Sequence, residues 1–273
     1  MKNIGIIGFG NMGEAFAAGL KSKFKDIRFG VVEKFAPRAE AARTQYGAAD
    51  FTGKIKDLLD FADLTIIAVK PQDAAAVLKE ISPHSADKKF AAIVAGKTLD
   101  FYTSYLQTPY IARFMPSLAA MYQKAVVGVS FPAADSKSGD AQKFEDFRAE
   151  ILELAAAAGS ALEIPEKLMS MITGLSGSGI AFAFAFIHAL AMGGVKTGLG
   201  YAQACDVAIQ VVEGAAAVLR GTKDTPANLI AKVSSPAGTT IAGIEALEEA
   251  AFTAAVMRAV EQATSRAEEL EGA

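Results

Sequence analysis

A glycine-rich segment near the start of the chain constrains the fold more than any other feature of the sequence. The apolar run "NIGII" is followed by Gly8, Gly10 and Gly13, and then by a segment in which Phe16 and Leu20 have helical spacing. A strand, a G-x-G-x-x-G turn and a helix in this order are typical of a dinucleotide-binding βαβ unit. The three glycines allow the tight turn, the approach of a pyrophosphate and close helix–strand packing. We therefore predict dinucleotide binding here, with a plain strand-to-helix turn as the alternative.

Apolar strand patterns alternate with helical segments along the first half of the chain. This alternation predicts an α/β Rossmann-type, doubly wound and mainly parallel sheet with helices on both faces. The strand patterns end near Pro165, after which the sequence is alanine-rich and helical. The predicted domains are therefore 1–164, which binds the dinucleotide, and 165–273, which is all-helical. The strand candidates are "NIGIIG", "IRFGVVE", "LTIIAVKP", "FAAIVAG", "YIARFMPS", "AVVGVSF" and "ALEIP".

Charge and cysteine content exclude several classes of protein. The net charge is −3 over 273 residues, without a basic stripe, which argues against a nucleic-acid partner. One cysteine, Cys205, forms neither an intrachain disulfide nor a cysteine-based metal site, and we predict no metal. The chain opens on a strand pattern rather than on a charged and apolar leader, which predicts a cytoplasmic protein.

A long uncharged segment runs from Leu168 to Val195 if His188 is neutral. Its length would suffice to cross a bilayer. Its first half is rich in Ser and Gly, however, and only Ile180 to Met192 is strongly apolar. A helix that is apolar all round is either membrane-spanning or buried in a large core. We predict burial and no membrane contact, and because burial requires a covering surface, we predict self-association.

Five further residues at or soon after predicted strand ends bear on the cofactor. Glu33 lies at the end of the second strand, where an acid usually binds the ribose hydroxyls of NAD. Lys34 and Arg38 follow closely, and either could pair with the extra phosphate of NADP. The residues alone leave the choice between NAD and NADP open. Lys70 and the glycine of "VAG" also end strands, at the sheet edge where ligands of such folds bind.

Two patches in the second half are rich in glycine and hydroxyl groups. They are "GLSGSG" at 174–179 and "SSPAGTT" at 234–240, and each precedes a predicted helix. The N–H groups at a helix start can bind an anion such as a small carboxylate. The alternative is ordinary capping of those helices by Ser or Thr.

The chain as a whole resembles pyrroline-5-carboxylate reductases. The pieces that carry the resemblance occur in the family's order over nearly the full length, and the block after "LSGSG" is the most specific. They are "IGFGNMGEA", "AVKPQ", "RFMPS", "LSGSG", "GVKTGL", "VVEGAA" and "SSPAGTTIAGIEALE". The resemblance implies a reductase of the C=N bond of L-1-pyrroline-5-carboxylate in the last step of proline biosynthesis. It implies NADPH as the preferred cofactor, with NADH as an alternative, and an interleaved homodimer that could assemble further.

The resemblance also implies site residues, with one turn reaching the partner subunit's site. Thr240 is the catalytic candidate, as the hydroxyl placed against the ring nitrogen. The implied substrate contacts are Met115, Ser176, Ser235, Gly238, Thr239 and Thr240. The implied cofactor contacts, with Glu33 and Lys34 added from the strand-end argument, are Gly8, Phe9, Gly10, Asn11, Met12, Glu33, Lys34, Ala68, Val69, Lys70, Pro71, Ala95 and Gly96.

The sequence departs from the family pattern at several positions. Ser117, Ile180 and Ala237 replace the usual Asn, Pro and Gly, and alanine is strained if position 237 has a positive φ. Two other functions remain as alternatives. A related two-domain dehydrogenase of a small hydroxy acid would use a lysine such as Lys167, and a non-catalytic nucleotide sensor would bind the cofactor without consuming it.

Overall fold

The first part of the chain is built around one twisted sheet. The computed structural model describes residues 2–132 and 141–272, and eight strands lie within these ranges. The strands are β1 (Asn3–Ile7), β2 (Arg28–Val32), β3 (Ala49–Asp50), β4 (Leu64–Ile67), β5 (Phe90–Ala92), β6 (Ile111–Met115), β7 (Ala125–Ser130) and β8 (Gly159–Glu163). Their order across the sheet is β3-β2-β1-β4-β5-β6-β7-β8. The order reverses between β1 and β4, which is the topological switch point of a doubly wound sheet.

All neighbouring strands are parallel except β6 and β7, which are antiparallel. Parallel neighbours require a crossover of a dozen or more residues, whereas antiparallel neighbours can be joined by a short connection. Residues 116–124 are such a connection, with a 3₁₀ turn at Leu118–Tyr122. The prediction of a mainly parallel sheet is confirmed. The short edge strand β3 was not predicted, because two residues give no readable pattern.

Helices cover the sheet in the first part of the chain, and after β8 the described residues form helices without further strands. In the first part they are α1 (Asn11–Lys23), α2 (Ala36–Tyr46), α3 (Ile55–Phe61), α4 (Pro71–Ile81), α5 (Leu99–Thr103) and α6 (Ala141–Ala156). After β8 they are α7 (Met169–Ile172), α8 (Gly179–Lys196), α9 (Tyr201–Thr222), α10 (Pro226–Val233), α11 (Thr239–Glu249) and α12 (Phe252–Glu271). Gly47 closes α2 in the left-handed conformation with φ 68°, as its sequence signal predicts. Pro71, the last residue of the strand candidate "LTIIAVKP", is instead the first residue of α4, where proline is favoured.

Two buried apolar clusters occupy the two faces of the sheet. Ile4 and Ile6 of β1 belong to the first cluster, which includes Phe16 of α1 and Phe147 of α6. Ile7 of the same strand belongs to the second cluster, which is built on α3, α4 and α5. Side chains of a strand alternate between faces, so one strand contributes to both cores. The predicted cover of helices on both faces is confirmed.

The chain forms two compact units. The first contains the residues up to Ser178 together with those from Ala263 onward, and the second contains residues 179–262. The last turns of α12 therefore belong with the sheet. The second unit is all-helical and has a small core in which Ala191, Ala204 and Ala208 are buried.

Two helical stretches are long and apolar enough, by length and composition, to cross a membrane. They are Glu166–Lys196 and Tyr201–Thr222, and little of either is buried within the chain. Exposed large apolar side chains include Phe184, Met192, Val207 and Val211. A surface of this kind marks a site of protein–protein or membrane contact.

Candidate functional site

The glycine turn after β1 packs directly against the end of β4. Gly8 has φ +91°, and a side chain there would place its Cβ 2.7 Å from the carbonyl oxygen of Ala68. The Gly8 N–H donates to the carbonyl of Val32 at 2.9 Å, so the turn is held between its two neighbouring strands. Only glycine combines this backbone conformation with this close approach. The turn therefore lies at the switch point of the sheet.

Helix α1 begins at this turn without a side-chain cap. Gly10 is the N-cap residue and makes no side-chain hydrogen bond to the helix. A Cβ on Gly13 would lie 2.3 Å from the carbonyl oxygen of Gly8, so the helix approaches the turn more closely than any other residue would permit. The N–H groups of Asn11 and Met12 stand at the start of α1, where a helix presents N–H groups and partial positive charge to an anion.

Glu33, at the end of β2, braces the glycine turn. One carboxylate oxygen accepts a hydrogen bond from the N–H of Phe9 at 2.6 Å, and the other accepts from the N–H of Phe35 at 2.8 Å. The backbone of Glu33 is in turn bonded to the hydroxyl of Thr52, which donates to the Glu33 carbonyl at 3.1 Å. Sequence reasoning predicted a ribose ligand at this position. In the structure each carboxylate oxygen accepts from a backbone N–H, and the ribose contact stays a prediction.

One cation lies beside the same turn, and a second, Lys34, follows β2 at a distance of two residues along the chain. A Cβ added at Gly10 would be 2.9 Å from Nη1 of Arg38, so the guanidinium lies against the glycine turn. Lys34 and Arg38 are exposed, and neither forms an ion pair with any residue in the described ranges. Positive charge is thus available where an anionic group near the second strand would sit.

The remaining predicted cofactor segments follow β4 and β5 along the same edge of the sheet. Ala68 and Val69 leave β4, Lys70 is the N-cap residue of α4, and Pro71 is its first residue. After β5, Gly96 has φ +68°, and a Cβ there would be 3.0 Å from the carbonyl oxygen of Leu270. The structure therefore brings the segments after β1, β4 and β5 to the carboxyl edge of the sheet, where ligands of doubly wound folds bind.

Two of the predicted substrate residues, Met115 and Ser176, lie in the first unit. Met115 ends β6, and its Cε is 2.8 Å from the position that a Cβ on Gly177 would occupy. The Ser176 hydroxyl donates to the carbonyl of Val126 at 3.2 Å. Ser176 lies in a π-helical turn, Thr173–Gly177, which is followed by a bond from Ser178 N–H to the Thr173 carbonyl at 2.8 Å. Single π turns occur frequently at functional sites.

The "GLSGSG" segment was expected to precede a helix, and α8 does begin at Gly179. The residues just before α8 form the π turn Thr173–Gly177, and the Ser178 N–H already donates to the Thr173 carbonyl at 2.8 Å. Binding of an anion by N–H groups at this place stays a prediction.

The other small-residue patch does begin a helix. In the second unit, Gly238 is the N-cap of α11 without a side-chain cap, and Thr239 and Thr240 are the first two helical residues. A Cβ on Gly238 would be 2.3 Å from the hydroxyl oxygen of Ser235, and Gly238 N–H donates to the Ser235 carbonyl at 3.0 Å. Ala237 has φ +54°, so the left-handed conformation anticipated for this position is present.

Sequence reasoning missed a buried ion cluster. Arg113 of β6 is 3% exposed and contacts the carboxylates of Glu166 and Glu271. A charged residue within "YIARFMP" was the available signal, because arginine is almost never buried without a partner. Its partners are 53 and 158 residues away, so local pattern could not identify them.

A doubly wound sheet with a glycine turn at its switch point, followed by an all-helical unit, defines a class. That class is the two-domain oxidoreductases that use a nicotinamide dinucleotide. Two family descriptions match the chain: "NADP oxidoreductase coenzyme F420-dependent" over residues 3–96 and "Pyrroline-5-carboxylate reductase dimerisation" over residues 166–270. The chain belongs to the pyrroline-5-carboxylate reductase family.

Relatives and solved structures match the chain over nearly its full length. The pyrroline-5-carboxylate reductase of Aquifex aeolicus is 35% identical, over 98% of this chain and 97% of the relative. That of Methanosarcina acetivorans is 36% identical over 98% of both. The structure of the Streptococcus pyogenes enzyme is 29% identical with a TM-score of 0.84, over 98% of both chains. The Plasmodium falciparum structure, which has NADP bound, is 22% identical with a TM-score of 0.84 over 99% of this chain and 98% of that one, and it shows the shared fold.

Proposed function

We propose that this protein reduces L-1-pyrroline-5-carboxylate to L-proline with NADPH, the last step of proline biosynthesis. Family membership over the full length supports the reaction. The observation that carries the proposal is the glycine turn at the switch point of the sheet, where Gly8 packs so closely against Ala68 that any Cβ would clash with the Ala68 carbonyl. NADPH supplies the hydride when it is bound there.

The residues present fit a phosphorylated dinucleotide. Asn11 and Met12 would hold the pyrophosphate through their N–H groups, and Ala95 and Gly96 would face the nicotinamide ring. Arg38 and Lys34 would bind the extra phosphate of NADP, since a guanidinium pairs well with phosphate oxygens. Glu33 already accepts two backbone hydrogen bonds. This arrangement favours NADPH over NADH, and it gives Glu33 a structural role in the turn.

Little acid–base machinery is needed for this reaction. A cyclic imine protonates readily, and the resulting iminium accepts hydride at carbon. The chain's task is to hold the imine carbon about 3–3.5 Å from the hydride donor and to provide a polar group for the nitrogen. We assign the second role to the hydroxyl of Thr240. Ser235 and the N–H groups of Thr239 and Thr240 would bind the substrate carboxylate at the start of α11, where the helix favours an anion.

Met115 and Ser176, which both lie in the first unit, are the other two residues to which we assign substrate contacts. The Ser176 hydroxyl donates to the Val126 carbonyl, which leaves its oxygen free to accept a further hydrogen bond. Met115 would give an apolar wall for the ring carbons. Ser117, which replaces the usual Asn, is 6% exposed and is the N-cap residue of the 3₁₀ turn after β6.

We also propose that the helical unit pairs with a second copy of the chain as an interleaved homodimer, with higher assembly as a further step. The match to a dimerisation family over residues 166–270 supports this. The apolar side chains that α8 and α9 leave exposed would then be covered by protein rather than by lipid. We propose a cytoplasmic protein without a membrane or nucleic-acid partner.

The test is a direct assay of the purified protein. Pyrroline-5-carboxylate is offered with NADPH and NADH separately, and the loss of reduced-cofactor absorbance and the formation of proline are both followed. The expected result is stoichiometric formation of proline, faster with NADPH. A 3-hydroxy acid with the oxidised cofactor is run in parallel. Turnover of the hydroxy acid alone, or cofactor binding without turnover of the imine, would contradict the proposal.

A further inference from the structure

Arg113 joins two distant carboxylates in the interior of the first unit. Its side chain is 4% exposed, and its Nη1 lies 3.1 Å from Oε1 of Glu166. Its Nη2 donates to Oε1 of Glu271, near the end of α12. A buried guanidinium requires such partners, because an unpaired charge in the interior is strongly destabilising. Strand β6, the start of the helical stretch after β8 and the end of α12 therefore meet at one side chain.

The same cluster holds the segment that follows β5 at one end. Oε1 of Glu166, which contacts Arg113, also accepts a hydrogen bond from the N–H of Leu99 at 2.6 Å. Leu99 is the first residue of α5, and its N–H is one of those that a helix leaves without an internal partner. The carboxylate thus fixes where α5 begins.

The start of the segment that follows β5, at Gly96, packs against α12. Leu270, next to Glu271, has its carbonyl oxygen 3.0 Å from the position of a Cβ on Gly96. Arg113 is also the register partner of Ala92, the last residue of β5. The backbone from Gly96 to Leu99 therefore lies against Leu270 at one end and donates to Glu166 at the other. Arg113 pairs with Glu166 and with Glu271, the neighbour of Leu270.

We propose that Arg113, Glu166 and Glu271 are positioning residues that set the backbone of Ala95 and Gly96 for the nicotinamide ring. This inference rests on the proposed function, since the ring is assigned to that backbone there. The three side chains take no part in the chemistry. Their effect is on how tightly and in what place the cofactor is held.

Glu166→Ala and Glu166→Gln separate this role from general stability. Alanine removes both the Arg113 contact and the acceptor for Leu99, whereas glutamine keeps an amide oxygen as an acceptor. Exchange of the backbone amides in 94–103 is measured by mass spectrometry, with NADPH affinity by fluorescence and KM values by assay. For Glu166→Ala we expect exchange of the Leu99 amide to be about tenfold faster, consistent with the loss of its hydrogen bond to a charged acceptor. We expect the dissociation constant and KM of NADPH to rise about fivefold or more, with KM for the imine nearly unchanged.

Glutamine should restore most of the NADPH affinity. The matched control is Arg148→Gln, which breaks an exposed pair of Arg148 with Glu163 in the same unit at 2.6 Å and should change none of these values. If Glu166→Ala does not fold, Glu271→Gln gives the second test with the same readouts. Faster exchange with unchanged NADPH affinity, or unchanged exchange, would overturn the inference. If the wild-type protein binds NADPH but does not reduce the imine, the proposed function fails while exchange and NADPH affinity still decide this inference.

Discussion

The carboxylate of Glu33 accepts a hydrogen bond from the backbone N–H of Phe9, with 2.6 Å between oxygen and nitrogen. An acid at the end of the second strand usually indicates binding of ribose hydroxyls. Here it stabilises the glycine turn from within, and its second oxygen accepts from Phe35 N–H. We therefore expect the preference between NADPH and NADH to depend on the cations Arg38 and Lys34.

Arg38→Gln tests that choice. The guanidinium lies against Gly10, and its removal should lower kcat/KM with NADPH about tenfold or more while leaving the value with NADH nearly unchanged. Steady-state assays with both cofactors measure this. The control is Arg43→Gln in the same helix, because Arg43 is exposed and paired with Glu40 at 2.6 Å. Equal losses of kcat/KM with NADPH and with NADH would show that Arg38 does not bind the extra phosphate of NADPH.

Glu33→Gln should act on stability rather than on cofactor choice. Glutamine replaces a charged acceptor of two backbone hydrogen bonds with one amide oxygen, so we expect a loss of about 1–2 kcal/mol in the free energy of unfolding. Chemical denaturation measures it. The ratio of kcat/KM for NADPH to that for NADH should stay within about twofold of the wild type, because the carboxylate is already engaged. A large rise in that ratio would mean that Glu33 faces the cofactor.

Thr240→Ala should lower kcat about tenfold or more, because it removes a polar contact that strengthens as the charge on nitrogen changes. The measurement is saturation kinetics with NADPH and the imine. Thr222→Ala is the control, since the Thr222 hydroxyl donates to the Val218 carbonyl at 2.8 Å and accepts from the Asp224 N–H at 3.4 Å, both at the end of α9. Unchanged kcat and KM in Thr240→Ala would remove this residue from the mechanism.

Ala237→Gly should stabilise the chain. Ala237 has φ +54°, and a left-handed alanine costs roughly 1 kcal/mol relative to glycine. Thermal unfolding should show a higher Tm. Ala251→Gly is a matched comparison, because Ala251 also has φ +54° but lies outside the proposed substrate turn. Both variants should gain stability, and Ala237→Gly alone should change KM for the imine.

Acid stability should depend in small part on Asp63. Burial tends to raise its pKa, but the N–H groups of Lys2 and Asn3 donate to its carboxylate and hold the pKa below the usual value of 3.8. A lowered pKa in the folded state means that the stabilisation is present above pH 3.8 and is lost as pH falls through the lowered value. Because Asp63 is exposed, the effect is small. Asp63→Asn should flatten the acid limb of a stability–pH curve, and an unchanged limb would contradict this.

The sequence could predict what depends on local pattern. The tight turn at Gly8, the strand before it, the helix after it and a helix following the "SSPAGTT" patch could be predicted from glycine and apolar spacing. Pro71 was predicted to end a strand, whereas it is the first residue of α4. The π turn at Ser176 could not be predicted, because it differs from an α-helix by one residue and has no distinct composition. The partners of Arg113 depend on contacts that only the tertiary fold creates.

The sequence separation of 158 residues between Arg113 and Glu271 has a consequence for how the protein folds during synthesis. As the chain leaves the ribosome, β6 is synthesised long before α12. The Glu271 carboxylate is therefore the last part of the buried cluster to be made. Contacts between such remote positions form slowly, because the intervening chain must first be ordered. We therefore expect docking of the last helix to follow assembly of the sheet, and the nascent chain to depend on that docking for its final compaction.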